Sequence, residues 1–126
     1  MIRFAPIVTF DEQRLVVRCR GDEDRSTQSL RRAPLSRALM ASGSVTVHMA
    51  ELAFADSSLM LDLTMLARRL RKGGRELTVR DPQPQILRLI ELVGLHRLPG
   101  VVVESVGAPD GRWALTAQDI RPSPVG

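Results

Sequence analysis

The sequence predicts an α/β domain, a mixed β-sheet of four to five strands with helices packed on it. Three observations carry this. Strand-like and helix-like segments alternate along the chain, a leucine-periodic helix joins two β-branched runs in a β-α-β unit, and 126 residues suffice for one hydrophobic core. Hydrophobic residues make up 44% and charged residues 25%, the proportions of a chain that buries a core and does not stay disordered. Residues 1–116 read as the single domain. Residues 117–126 read as a flexible tail, because Arg121-Pro122-Ser123-Pro124-Val125-Gly126 has too little apolar content to pack.

Phe4 to Phe10 and Arg14 to Arg20 form two strand patterns around the polar Asp11-Glu12-Gln13, which predicts an opening hairpin stopped by Gly21. Asp22 to Thr27 is rich in side chains that accept bonds from free backbone N–H groups, so a helix should follow. Leu30, Ala33, Leu35, Ala38 and Leu39 give that helix its apolar spacing. Pro34 has no N–H to donate and predicts that the regular helix begins there. Ser42-Gly43-Ser44 interrupts, and Val45 to Met49 alternates as a central strand.

Asp56-Ser57-Ser58 then opens a helix with Leu59, Leu63, Leu66 and Leu70 on one face and Asp62, Arg69 and Lys72 opposite. Gly73-Gly74 ends it as a left-handed cap, and Glu76 to Arg80 is the next strand, parallel to the central one through a right-handed crossover. Pro84 suits the first turn of a third helix, with Ile86, Leu89, Ile90 and Val93 inward and Gly94 at its end. Val101 to Val106 is a last strand, which Pro109-Asp110-Gly111 could return as Trp113-Ala114-Leu115.

Composition narrows the function. No apolar run approaches the roughly 18 residues needed to cross a bilayer, and Met1 to Pro6 lacks a signal-peptide core, so the expectation is a cytoplasmic protein with no membrane insertion. Cys19 stands alone, and His48 and His96 show no ligand spacing, so neither a metal nor a cofactor is expected. The net charge of +4 is almost all arginine, yet aromatic residues are 3% with no tyrosine, which leaves no stacking platform for nucleic acid. Arg68, Arg69, Arg71, Lys72 and Arg75 close a helix, where cations complement its dipole. A basic surface of this kind steers an acidic protein partner. No nucleophile, base and orienting group can be assembled, so the chain is not read as an enzyme; a small hydrolase using Ser57 with His48 would be an example of the rival reading.

The string Phe54-Ala55-Asp56-Ser57-Ser58, preceded by the strand Val45 to Met49 and followed by a leucine-rich helix ending in Gly73-Gly74, resembles the signature of STAS domains. The resemblance extends upstream to Gly21 through Thr27 and downstream to Pro84 through Gly94-Leu95, covering roughly residues 10 to 105. It implies a STAS-like sheet and the role of an anti-sigma factor antagonist. In such proteins the serine directly after the aspartate is phosphorylated by an anti-sigma factor that is itself an ATP-dependent serine kinase, which here points to Ser57. Asp24, Asp56, Ser57 and Ser58 would frame the docking surface, with Leu59 and Met60 as apolar contacts. Three departures mark a divergent member: Leu59 where the family usually has glycine, His48-Met49 where it has Asp-Leu, and Glu23 and Arg25 in place of apolar residues. A serine before an apolar helix is also the ordinary N-cap. The alternative within the fold is a STAS docking subunit of a larger signalling or lipid-transport complex in which no serine is modified; whether the chain forms a homodimer stays open.

Overall fold

A computed structural model of the protein describes residues 8–23 and 25–105, and shows a five-stranded sheet in the order β1-β2-β3-β4-β5 with three helices. Strand β1 (Val8–Asp11) runs antiparallel to β2 (Val16–Glu23), and every later pairing is parallel. The Asp11 carboxylate makes the opening turn by accepting from the backbone N–H of Gln13 at 3.0 Å and of Arg14 at 3.2 Å. Because the strand order advances steadily in one direction, right-handed crossovers put all three helices on one face of the sheet. Side chains of one parity are accordingly buried (Val17, Cys19, Val45, Val47, Met49, Leu77, Val79, Val103). Those of the other parity, including Arg18, Thr46, His48, Thr78 and Arg80, face outward.

Several element limits differ from the sequence expectation. Gly21 does not end β2; with φ +71 it turns at an irregularity between Gly21 and Asp22, and the strand continues to Glu23. A 3-10 segment (Arg25–Arg31) follows, and the regular helix α1 (Arg32–Met40) begins two residues before Pro34, which its missing N–H allows inside a first turn. The buried face of this stretch is Arg31, Pro34 and Ala38, while Leu30 is 63% exposed and Ala33 is also outside.

Strand β3 (Val45–Ala55) extends six residues past the predicted Met49. Its first part pairs with β4 (Leu77–Arg80) only as far as His48; beyond that it keeps β2 on one side. On the other side two side-chain amides replace a strand: Gln83 Nε2 donates to the Ala50 carbonyl and Gln85 Nε2 to the Ala53 carbonyl, each at 2.9 Å. Unpaired edge carbonyls are thereby satisfied, and the protruding end of β3 stays ordered enough to carry the segment that follows it.

Helix α2 (Ser57–Lys72) buries Leu59, Leu63, Leu66 and Leu70 as its periodicity predicts, together with Met60 and Ala67. Gly74, at φ +73, supplies the left-handed residue that closes it. Helix α3 (Pro84–Val93) ends at Gly94 with φ +81, but buries Leu87 where Val93 was expected; Val93 is 45% exposed. Strand β5 (Val101–Glu104) is the last described element, and the proposed return of Trp113-Ala114-Leu115 and the tail lie outside the described residues. Among the described residues no helix is long and apolar enough to cross a membrane.

Candidate partner-docking site

The end of β3 delivers Asp56 to the N-terminus of α2. Asp56 has extended backbone angles and its Oδ1 accepts from the Ser58 N–H at 2.9 Å, so it is the N-cap. Ser57 and Ser58 therefore occupy the first two helical positions, roughly 100° apart around the axis. That step separates their fates. Ser57 is exposed, whereas Ser58 is 8% exposed, its hydroxyl donating to Asp56 Oδ1 and accepting from Arg31 Nη2 at 2.9 Å.

Arg31 is the residue that the sequence reading missed. It is fully buried, and besides Ser58 it binds Asp62 through Nε–H donating to Oδ2 at 2.7 Å. A buried guanidinium needs its charge compensated and its donors used, and the Asp62 carboxylate supplies the opposite charge while the Ser58 hydroxyl takes a second N–H. The detectable signal was weak: Arg31, Pro34 and Ala38 keep i, i+3, i+7 spacing, so an arginine had to be admitted to the apolar face.

Two expected apolar contacts are corrected. Leu59 is 0% and Met60 1% exposed, both packed in the core, because their positions on α2 face the sheet and α3. Neither offers surface to a partner, and Leu59 does not obstruct approach to Ser57. The exposed apolar groups flanking Ser57 are Phe54 on β3, 51% exposed, and Leu61 one turn along α2, 61% exposed. Asp24 lies outside the described residues.

Ser57 and His48 do not meet. His48 is seven residues before the end of β3, about 20 Å along the strand, and its Nε2 lies 3.8 Å from Asp81 Oδ2. That example of a catalytic serine–histidine pair is not assembled.

A family model described as the Mlab STAS domain matches residues 8–104. The chain belongs to the STAS domain family. Among solved structures, this STAS domain is similar to the anti-sigma factor antagonist SpoIIAA in its unphosphorylated form, at 19% identity and TM-score 0.56, covering 86% of this chain and 89% of that one. It is also similar to a Thermotoga maritima chain provisionally described as an anti-sigma factor antagonist, at 11% identity and TM-score 0.57, covering 85% and 91%. At such identities the likeness establishes the shared fold. No curated protein sequence matches the chain.

The N-cap of the STAS α2 helix gives a first prediction. Asp56→Ala removes the acceptor for the Ser58 N–H and for the Ser58 hydroxyl, so a denaturant melt should show a loss of about 1–2 kcal/mol.

Proposed function

We propose that the chain is an anti-sigma factor antagonist whose docking surface is centred on Ser57, and that an anti-sigma factor with ATP-dependent serine kinase activity binds there and phosphorylates it. The observation that carries this reading is the contrast between two adjacent serines: Ser57 presents its hydroxyl to solvent at the start of α2, while Ser58 is buried and bonded on both sides. A kinase needs a hydroxyl it can reach, and only the first serves. Phe54 and Leu61 supply apolar contact on either side, with Asp56 beside them.

The switch follows from charge. A phosphate on Ser57 adds about −1.5 to −2 charges beside Asp56, in the middle of the surface the partner must desolvate. The unphosphorylated chain holds the anti-sigma factor; the phosphorylated chain lets go, and the sigma factor is recaptured. This places the protein in cytoplasmic control of transcription.

The test is to purify the tagged chain from its own cells and identify both its retained partner and any phosphopeptide by mass spectrometry. An ATP-binding kinase should co-purify, and phosphate should fall on Ser57, persisting in Ser58→Ala and vanishing in Ser57→Ala. Ser57→Asp should weaken the complex at least tenfold, the effect of about 1.4 kcal/mol of repulsion and desolvation. Phosphate on Ser58 would overturn the reading. An ATP-insensitive stoichiometric complex with unmodified Ser57 would favour the second one, a STAS docking subunit of a larger assembly, which is supported by the family model's own description, naming Mlab and not an antagonist.

A further inference from the structure

Helices α1 and α2 lie side by side and enclose a groove of about 220 Å³ on the outer surface. Leu35, Leu39, Met65 and Leu66 line its apolar part, and Arg32 and Arg69 stand on opposite rims. Met65 is 52% exposed although it sits beside two leucines of α1, so among the described residues apolar surface is left open here with no element laid over it.

The groove is held at both ends. At the N-terminal end Arg31 ties the start of α1 to Ser58 and Asp62 of α2. At the C-terminal end Arg75, just past α2, donates through Nη2 to the Leu39 carbonyl at 3.0 Å and through Nη1 to the Ala41 carbonyl, capping α1. Two arginine clamps fix the spacing of the helices, so an occupant meets a preformed trench and does not have to order one.

Charge specifies the occupant. The acidic group on the lining is Asp62, and Arg31 already neutralises it. What remains toward solvent is Arg32 and Arg69, with the exposed Lys72 one turn beyond Arg69 on α2. From Asp62 to Arg69 the groove follows about two turns of helix, roughly 10 Å. A trench of that length, with an apolar strip of Leu35, Leu39, Met65 and Leu66 beside polar and cationic groups, matches one ridge of an amphipathic helix with acidic flanks. A bilayer would call for apolar groups on a convex surface, whereas these line a concave one.

We propose that the α1–α2 groove is a second docking site, distinct from Ser57, which receives an acidic amphipathic helix of a partner protein. The proposal needs neither a kinase nor a modified serine. The test uses the full chain and two synthetic helical peptides of about four turns, both with leucines at i, i+3, i+4 and i+7, one flanked by glutamates and the other by lysines. By titration calorimetry the glutamate peptide should bind saturably, with a dissociation constant on the order of 10–100 μM for so small a contact, and more weakly as salt rises. Backbone amide shifts should move at Leu35, Leu39, Met65 and Leu66.

Arg32→Glu with Arg69→Glu, both on the surface and compatible with folding, should weaken the glutamate peptide at least about tenfold and strengthen the lysine peptide, a swap that a merely structural role would not produce. Ser57→Asp should leave the peptide affinity unchanged, which separates this site from the proposed switch. Equal binding of both peptides, no binding, or shifts confined to other surfaces would overturn the proposal. So would tight sedimentation with anionic phosphatidylglycerol vesicles, lost in the same double variant, when neither peptide binds.

Discussion

Arg31→Met should lower the unfolding free energy by about 3 kcal/mol and the melting temperature by about 10 °C. Arg31 is fully buried and serves two acceptors at once, Asp62 Oδ2 through Nε and Ser58 Oγ through Nη2. Methionine fills much of the volume but leaves a carboxylate and a hydroxyl without their donor. Asp62 keeps about a quarter of its side chain in water (26% exposed), which places the loss at the low end of that for a broken buried pair. Arg31→Lys should recover little, because a single ammonium cannot reproduce the planar fork that reaches two acceptors. Guanidinium unfolding followed by far-UV circular dichroism reads all three proteins. An unchanged midpoint for Arg31→Met would mean that the arginine is not the fastener between the 3-10 segment and α2.

Leu59→Ala should cost about 3 kcal/mol, and Leu59→Gly about 1 kcal/mol more from helix propensity. Leu59 is completely buried in the cluster that also holds Leu63 and Met60, so truncation leaves a cavity the sheet cannot close. Leu61→Ala, two positions on and 61% exposed, should change stability by no more than about 0.5 kcal/mol. Partner binding should reverse this order, with Leu61→Ala weakening the complex and Leu59→Ala acting only through the folded fraction. Near-native stability of Leu59→Ala combined with lost binding would return Leu59 to the docking surface.

Both variants bear on how the start of α2 is held. Asp56 caps the helix from below, Arg31 pins Ser58 from the side, and Leu59 and Met60 anchor the first turn in the core. Ser57 is the residue of that turn left facing water, on a backbone that its neighbours make rigid. A rigid presentation suits recognition by a partner, since little ordering entropy is lost on docking.

What the sequence by itself determined was set by strong local patterns. Four leucines at helical spacing fixed α2 and its buried face, Asp56-Ser57-Ser58 marked its start, Gly74 and Gly94 closed two helices in the left-handed conformation, and the crossover rule made β3 and β4 parallel. The string around Asp56-Ser57-Ser58 was enough to indicate the STAS fold. Which serine stays outside was not decided there. On the helical wheel both serines fall outside the leucine face, Ser58 about 110° and Ser57 about 150° from its centre on opposite sides, so periodicity alone leans only slightly toward burying Ser58. The 3-10 segment and α1 cover one of those sides and leave the other bare, and this packing, with Arg31 inside it, distinguishes them. The same holds for Leu30, which has the right spacing but faces solvent, and for Gln83 and Gln85, whose amides act as a missing strand edge. Local pattern specifies a face, but burial depends on what another part of the chain brings against that face, and only the tertiary structure contains that information.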